Sequence, residues 1–488
     1  MTATLEVRAA PPAARVQVEQ TYPGRWLGLF ALLAATLMNL LDSSIVTLAA
    51  PVIRADLGGS LSMLQWLSAG YTLALAVVLL TGGRLGDMYG RKRMLLIGVS
   101  GFVAASAICA AAPSIEALLV ARVLQGAFGA LMIPQCFGLI RDMFGKDTGK
   151  AFGAFGPVIG LATILGPIVA GLLVDADVFG TGWRMIFLIN LPLGAFSLIV
   201  GRKVLPEGAP TAGGRQLDVK GALLAGAGMC LLIYPLVEGR ELGWPAWSLA
   251  MLAASVVVFA VFAAYQWQRT KAGRPTLVEL SVFRKRSYTS GVAFVVVFFG
   301  AVVGFALAVG LFLQLGLGYT PLSASLAMGT WAIGAFAGSG LSAGLMTKLG
   351  RRIIHIGLAV MGVGLAAAAT VLGTATDLGT WDLAAPFAVF GIGMGMIFVP
   401  LFDIIVAGLE DHEVGTASGL LESFQQLGAS LGIAVLGTVF FSSVGDTPDA
   451  AGFTGAAELV TWLSLGLTVV SFAVGFLLPT RAKEHGHG

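Results

Sequence analysis

The chain has 488 residues, of which 57% are hydrophobic and only 11% are charged, and its mean hydropathy is +0.89. Soluble domains carry about 25% charged residues, so this composition excludes an ordinary soluble protein and predicts an all-α integral membrane protein. The sequence lacks the short alternating segments of a membrane β-barrel. The net charge of +3 gives no reason to expect a nucleic-acid partner.

A polar, Ala/Pro-rich tail at residues 1–22 precedes a series of apolar runs of roughly twenty residues each. Each run is long enough to cross roughly 30 Å of hydrocarbon as a helix. The sequence therefore predicts about fourteen transmembrane helices, which we call spans one to fourteen. They lie at 26–49, 62–82, 94–112, 115–136, 150–174, 184–202, 219–238, 246–267, 288–316, 322–346, 353–373, 382–407, 415–441 and 457–479.

The Lys and Arg residues of the predicted connections are distributed unequally between the two sides of the membrane. With the N-terminus placed in the cytoplasm, the outer side receives only Arg54, Arg184 and Arg240, while Arg122 lies inside a span. Cytoplasmic connections normally carry the excess of cations. We therefore predict cytoplasmic N- and C-termini. The acidic connection at residues 410–413 is the one inner connection that departs from this excess of cations.

A short charged connection, GGRLGDMYGRKR at residues 82–93, joins spans two and three. We call it the charged loop. It contains four cations, one acid and four glycines. A connection this short predicts that spans two and three are antiparallel neighbours, with the charges at the cytoplasmic boundary of the membrane.

The two halves of the chain resemble each other, since Pro134 and Gly149 recur at the same spacing as Pro400 and Gly415, and residues 344–352 repeat the charged loop in reduced form. Two similar bundles around a central site are typical of transporters. The predicted organisation is a tail (1–22), a six-helix bundle (23–203), a linker with two inserted helices (204–286), a second six-helix bundle (287–480) and a short tail (481–488).

Four ionisable residues stand out within the predicted spans, where a charge is costly and indicates a functional site. Asp42 in span one and Arg122 in span four lie at similar depths in the outer half of the membrane, so they can pair directly or through water. If a conformational change separates them, Asp42 takes up a proton more readily. The alternative is a static ion pair that orients two helices.

Asp403 and Glu422 are the other two, in spans twelve and thirteen towards their cytoplasmic ends. Each is a candidate proton site or a group that attracts cationic substrates. For Asp403 the alternative is a carboxylate that simply reaches the aqueous edge. Glu422 lies deeper, in a segment rich in small residues, which favours a functional role.

Span five contains two Gly-Pro pairs, Gly156-Pro157 and Gly166-Pro167, and a further glycine at Gly171. Proline removes a backbone donor and bends a helix, while glycine permits close helix contacts. These residues predict a shaped bend or a gate. The alternative is ordinary packing of a glycine-rich membrane helix.

The sequence has no phosphate-binding loop, no zinc-ligand spacing and no nucleophile elbow. Gly391, Gly393 and Gly395 lie inside a span, without the strand–turn–helix context of a nucleotide-binding fingerprint. We therefore predict no enzyme activity, no metal site, no catalytic residue and no cofactor. The residues that bind substrate cannot be identified from the sequence.

These motifs resemble the Major Facilitator Superfamily, and specifically its fourteen-span drug:proton antiporters. The charged loop is similar to the superfamily pattern G-x-L-x-D-x-x-G-R-K. Similar stretches follow Asp42 in span one, Arg122 in span four and Gly166 in span five. The matching positions are Gly83, Leu85, Asp87, Gly90, Arg91 and Lys92; Leu41 to Val46 with Pro51; Arg122, Gln125, Gly126 and Gly129; Gly166, Pro167, Ala170 and Gly171; Gly182 to Arg184 with Phe187, Asn190 and Pro192; and Gly415 to Gly419 with Gln426 and Gly428.

The resemblance implies the two-bundle fold of that superfamily and proton-driven export of hydrophobic or cationic toxic compounds across a bacterial inner membrane, by a monomer embedded in lipid. It associates Asp42 and Arg122 with proton coupling, and the Gly-Pro motif of span five with antiport. It also implies that Asp87 and Arg91 latch the outward-open state. The second copy of the loop has Thr347 where Asp87 would map, so this latch is expected to be one-sided.

Other functions remain open from the sequence. An exporter of one self-made metabolite, lipid or siderophore would carry the same motifs. A membrane sensor would need a long soluble signalling region, and an intramembrane enzyme would need paired catalytic residues at one depth. The missing phosphate-binding loop disfavours an ATP-driven pump.

Overall fold

A computed structural model describes residues 22–147, 151, 166, 168–169, 171–177, 180–207, 217–274, 276–278, 281–374, 378–379, 381–406, 409, 411–444 and 449–479. Its long elements are all α-helices, which satisfy their backbone hydrogen bonds internally, as lipid requires. They are α1 (Arg25–Leu57), α2 (Leu61–Tyr89), α3 (Arg91–Ala110), α4 (Ile115–Phe144), α5 (Asn190–Val204), α6 (Val219–Glu238), α7 (Ala246–Lys271), α8 (Arg286–Leu311), α9 (Pro321–Leu349), α10 (Arg352–Thr374), α11 (Ala384–Val406), α12 (Asp411–Val444) and α13 (Ala450–Gly475).

Within the described ranges, 12 helical segments are long and apolar enough to cross a membrane. The helix α9 is not among these segments, although it is 29 residues long. Predicted span five, at 150–174, lies mostly outside the described residues. The protein is therefore a multi-pass helical membrane protein, and the count of fourteen spans stays a prediction.

The charged loop is mostly helical, which corrects its interpretation as a twelve-residue loop. Helix α2 continues to Tyr89 and α3 starts at Arg91, so Gly90 alone connects them. Gly90 has a φ of 95°, a conformation that favours glycine because it has no Cβ. On α2, Gly83 lies close to Pro134 of α4, where an added Cβ would be 3.8 Å from the proline. Helices α2 and α3 also contact each other, so spans two and three are neighbours.

The internal repeat is visible in the packing. Gly350 ends α9 with a φ of 50°, in the position that corresponds to Gly90. Helix α9 packs on α11 as α2 packs on α4, and α10 packs on α11 as α3 packs on α4. Pro134 and Pro400 lie inside α4 and α11, respectively. The two halves of the chain therefore form two bundles in which these three helices are arranged alike.

The acidic connection at 410–413 is also shorter than the sequence suggests. Helix α12 begins at Asp411, so Asp411 and Glu413 lie in its first turn. The acids thus start a helix instead of forming an inner loop.

The two inserted helices, α6 and α7, form a hairpin that packs on the seam between the bundles. Helix α6 contacts α2 of one bundle and α12 of the other. Asp218 caps α6 by accepting from the backbone N of Gly221 at 3.0 Å. Its second carboxylate oxygen accepts from Gln266 of α7 at 2.6 Å. One buried carboxylate therefore joins the two helices of the hairpin.

The helix termini lie at two ends of the protein, which can be distinguished by the residues they contain. The end that contains Gly90 also contains the start of α1, where Arg25 pairs with Asp147 at 2.9 Å. We call it the charged-loop end. At the opposite end, Arg184 pairs with Asp56 at 2.9 Å.

Contacts across the seam hold the opposite end together. The backbone N of Leu322, at the start of α9, donates to Asp175 at 3.3 Å. Further along the seam, the hydroxyl oxygens of Thr72 on α2 and Ser430 on α12 are 2.6 Å apart. The structure is therefore closed between the two bundles at the opposite end.

Candidate functional site

Asp42 on α1 and Arg122 on α4 form an ion pair inside the N-terminal bundle. Nη1 of Arg122 donates to Oδ2 of Asp42. The side chains are sealed from solvent, with 1% of Arg122 and 0% of Asp42 exposed. A buried charge is costly unless it is paired and hydrogen-bonded, and each residue here supplies the counter-charge of the other. The structure brings together the two residues that the sequence placed at similar depth.

Three neutral side chains complete the hydrogen bonds of the pair. Gln125 donates to Oδ1 of Asp42 at 2.7 Å, and its carbonyl oxygen accepts from Arg122 at 2.7 Å. Asn190 of α5 donates to the same Oδ1 at 3.0 Å. Ser106 of α3 accepts from Gln125 at 2.8 Å and from Asn190 at 3.2 Å. The carboxylate of Asp42 thus accepts from three donors and has a fixed orientation.

Aromatic rings support the guanidinium of Arg122 on another side. Its Cζ lies 4.2 Å from the ring centroid of Tyr71 and 5.9 Å from that of Phe187. Its Nε also donates to the backbone carbonyl of Leu67 at 3.2 Å. A desolvated cation–π contact contributes about 2 kcal/mol. The cation therefore has favourable contacts that do not depend on Asp42.

A cavity of about 310 Å³ lies between the two bundles, within the range of small-molecule sites. Helices α1, α2 and α4 line one side, while α8, α9, α11 and α12 line the other. Arg122 and Tyr71 form part of its wall. The buried ion pair therefore borders the space in which a small molecule could bind.

Glu422 is not among the hydrogen-bond partners described above for Asp42 and Arg122. Glu422 is a partly buried residue of α12, one turn before Gln425, which lines the cavity. Asp403 belongs to α11, and its side chain is outside the described part of the structure. The hydrogen bonds given above for Asp42 and Arg122 involve neither residue.

The charged-loop side chains pair within the N-terminal half of the chain. Arg91 contacts Asp87 at 3.3 Å and Asp142, at the end of α4, at 3.1 Å. Lys92 lies 3.6 Å from Glu207, whose side chain is 89% exposed. In this conformation, which is closed at the opposite end, Asp87 and Arg91 bind each other.

Only part of the span-five motif can be located. Gly166 and Gly171 are buried helical residues, whereas Pro167 and Gly156-Pro157 lie outside the described residues. A Cβ added to Gly171 would lie 2.5 Å from the Cα of Leu322 in the other half of the chain. A glycine here permits the close approach of the two bundles at the opposite end.

Gln125, Asn190 and Tyr71 complete the site, although their roles were not predicted from the sequence. A signal existed for Gln125 and Asn190, because both occupy polar positions of the family motifs. Gln125 also follows Arg122 by three residues, a spacing that places both on one helix face. The sequence around Tyr71 gives no comparable signal, because its contact with Arg122 depends on the rotation of α2 against α4.

Residues 32–433 match the family model described as Major Facilitator Superfamily. The chain is 48% identical to the "Probable actinorhodin transporter" of Streptomyces coelicolor, over 91% of this chain and 77% of that protein. It is 35% identical to the "Tetracenomycin C resistance and export protein" of Streptomyces glaucescens, over 87% of this chain and 78% of that protein. It is also 30% identical to the "Multidrug resistance protein Stp" of Mycobacterium tuberculosis, over 94% of this chain and 83% of that protein.

Solved structures support the fold. An auto-inhibited peptide transporter of the POT family superposes with a TM-score of 0.67 and 15% identity, covering 93% of this chain and 96% of that one. A nucleoside transporter superposes with a TM-score of 0.61 and 15% identity, covering 92% and 99%. At this level of identity, the superpositions establish the helix arrangement alone.

Proposed function

We propose that this chain, which belongs to the Major Facilitator Superfamily, exports small hydrophobic or cationic drugs or antibiotics in exchange for protons. The proposal includes fourteen spans, as in the drug:proton antiporters that its motifs resemble. The names of its relatives refer to transport, export and resistance, which supports efflux as the direction. An enzymatic role is not part of this function.

The observation that carries proton coupling is the position of the Asp42–Arg122 pair at the wall of the central cavity. A rearrangement that moves Arg122 away leaves a buried carboxylate without its counter-charge. Such a group becomes neutral, because an isolated buried charge is far more costly than a protonated one. Asp42 then binds a proton in one conformation and releases it when the pair forms again.

Alternating access fits the contacts between the bundles. The Leu322–Asp175 contact closes the opposite end in this structure, and the Thr72–Ser430 contact joins the two bundles beside the central cavity. Opening that end requires these contacts to break while the charged-loop end closes. In the proposed cycle, Asp87 and Arg91 exchange their mutual contact for partners in the other bundle and so latch the second state.

The charge distribution in the sequence supports cytoplasmic termini and insertion in a bacterial inner membrane. With that orientation, the charged-loop end faces the cytoplasm. A single chain supplies both walls of the cavity, which supports function as a monomer. Glu422 and Asp403 are retained as further candidate proton carriers.

A second candidate function is the export of one compound made by the producing cell. Two relatives carry names that refer to a single antibiotic, which favours this narrower function over multidrug efflux. Both functions use the same site, and they differ in the range of accepted substrates.

A toxicity panel in an efflux-deficient bacterial host tests the proposal. We expect expression to protect the host against at least one hydrophobic antibiotic, and a protonophore to abolish the protection. Protection against one structural class indicates a dedicated exporter, and protection across several classes indicates multidrug efflux. Protection that persists after the proton gradient has collapsed would contradict proton coupling.

A further inference from the structure

The connection between the two inserted helices lies at the opposite end and contacts both bundles. We call residues 236–245, which are the last residues of α6 and the turn that leads to α7, the hairpin tip. Gly243 and Trp244 shape the turn with φ values of 68° and 52°. The backbone N of Trp244 donates to the carbonyl of Gly239 at 2.7 Å. The tip is therefore a compact unit that can hold two surfaces together.

The hairpin tip is bonded to α2 of the N-terminal bundle through two carboxylates. Glu238 accepts from the indole of Trp66 at 2.6 Å, and Glu241 accepts from the backbone N of Ser62 at 2.7 Å. Ser62 lies in the first turn of α2, at the opposite end. Hydrogen bonds to ionised acceptors are roughly twice as strong as neutral ones, so this attachment is strong.

The same tip is bonded to α12 of the C-terminal bundle through weaker contacts. The hydroxyl of Thr438 donates to the backbone carbonyl of Leu236 at 2.7 Å. This carbonyl is in the last turn of α6, where carbonyls lack a donor within the helix, so a side chain of the other bundle caps α6. The Cζ of Arg240 also lies 5.5 Å from the ring centroid of Phe441, a cation–π contact.

Helices α2 and α12 meet each other directly beside the tip. A Cβ added to Gly437 of α12 would lie 2.4 Å from Nε2 of Gln65 on α2, and Gln65 is buried. Opening of the seam at this end therefore moves α2 and α12 apart at the level of the tip. Because the tip is bonded to both helices, it must detach from one of them.

We propose that the hairpin tip is a strap that holds the opposite end closed, and that it stays on α2 and releases α12 when this end opens. The released side follows from bond strength, since the carboxylate contacts with α2 are stronger than the contacts of α12 with Leu236 and Arg240. The strap stabilises the closed state by contacts that the open state lacks. This inference rests on the alternating access of the proposed function, and it assigns a role to the two inserted helices.

Alkylation of a cysteine behind the closed opposite end tests the strap. Ser325 on α9 is buried, and its Oγ lies 2.7 Å from the Cβ position of Gly171 in the other half of the chain. Ser325→Cys is introduced into the full-length protein together with Cys230→Ala, because Cys230 is exposed whereas Cys109 and Cys136 are buried. In lipid nanodiscs, without substrate or proton gradient, a water-soluble maleimide reacts in proportion to the open population when closing is faster than alkylation.

Two substitutions decide which contact is released. Thr438→Val keeps the shape of the side chain but removes the donor, so we expect the alkylation rate to rise about fivefold, as for the loss of one neutral hydrogen bond. Trp66→Phe removes a donor on the side that stays attached in both states. It should lower the unfolding temperature and leave the alkylation rate close to that of the parent.

Thr461→Val is the matched control. Thr461 is also buried, and its hydroxyl donates at 2.7 Å to the carbonyl of Ala457 in the same helix, so its loss should leave the alkylation rate unchanged. An unchanged rate in Thr438→Val would overturn the strap. A larger rise in Trp66→Phe than in Thr438→Val would overturn the assignment of the released side.

Arg240→Gln provides a second readout if Thr438→Val folds poorly, and we expect it to raise the alkylation rate about twofold through loss of the cation–π contact. The toxicity panel separates this inference from the proposed function. Protonophore-sensitive protection together with an unchanged alkylation rate in Thr438→Val and Arg240→Gln would refute the strap alone. The expected rise in rate without protection against any compound would support the strap and refute the proposed function.

Discussion

Gln125 is bonded to both charges of the buried pair: its amide nitrogen donates to Asp42 and its carbonyl oxygen accepts from Arg122, each at 2.7 Å. One side chain therefore fixes the distance and the orientation of the carboxylate relative to the guanidinium. A proton-dependent separation of the charges must break these bonds as well as the ion pair.

The substitution Asp42→Asn should abolish proton-coupled export while the protein still inserts in the membrane. The amide keeps the size of the side chain but removes the group that binds the proton. Transport by purified protein in liposomes with an imposed pH gradient measures the effect. Asp56→Asn, on the same helix but with a side chain that is 48% exposed, is the control and should retain transport. Full antiport by Asp42→Asn would refute the assignment.

Gln125→Leu should destabilise the protein by about 1–3 kcal/mol, because Asp42 and Arg122 each lose a buried hydrogen-bond partner. We also expect export to change its dependence on pH. Thermal unfolding and transport between pH 5.5 and 8.5, a range of roughly three units around neutrality, provide the two readouts. Gln266→Leu removes an equally buried amide from the inserted hairpin, and it should lower stability without changing the pH profile. An unchanged profile for Gln125→Leu would indicate a purely structural role.

Asp87→Asn should reduce the turnover rate more than it weakens substrate binding. In this conformation the contact of Asp87 with Arg91 is partly exposed and lies at the charged-loop end, so its loss has little effect on the cavity. In the proposed second state, the same substitution removes the latch. The split between kcat and KM for transport in liposomes measures this. Glu207→Gln, at the exposed pair with Lys92, should leave both constants unchanged. A change in KM with an unaltered kcat would contradict a latch.

Glu238 at the end of α6 accepts a hydrogen bond from the indole of Trp66 on α2 at 2.6 Å, so the inserted hairpin is attached to the N-terminal bundle at the opposite end. A double-mutant cycle of Trp66→Phe and Glu238→Gln should give a coupling energy of about 1 kcal/mol in thermal unfolding. The surface pair Trp462 and Glu458, 3.2 Å apart, should give a coupling near zero. Equal couplings for the two pairs would show that the hairpin contact adds nothing to stability.

Asp56 provides a pH-dependent contact outside the candidate membrane span. Hydrogen bonds from Trp183 and Arg184 lower its pKa below the ordinary value of 3.8, so its stabilisation is present at neutral pH and is lost as the pH falls through the lowered pKa. The side chain is half exposed, and screening limits the contribution to less than about 1 kcal/mol. Asp56→Asn should therefore unfold slightly earlier than the wild type at pH 7, and the difference should shrink in acid. A difference that grows in acid would contradict this sign.

The helical membrane architecture and the repeat followed from local patterns. Hydropathy located the apolar segments because transfer into lipid depends on the composition of each stretch. Glycine marked the sharp connection at Gly90 and the corresponding position at Gly350. The helical extent of the charged loop was missed because charged helix ends that extend beyond the hydrocarbon region have no hydropathy signal.

The sequence by itself determined that this is a helical membrane protein of two similar halves, with a costly carboxylate and a costly cation at similar depth. Only the tertiary structure decided that Gln125, Asn190 and Tyr71 surround that pair, that the inserted hairpin lies on the seam, and that the pair borders a cavity between the two bundles. The physical reason is that burial in lipid is a property of each segment. The meeting of side chains depends on helix rotation and close packing between segments that are far apart in the chain.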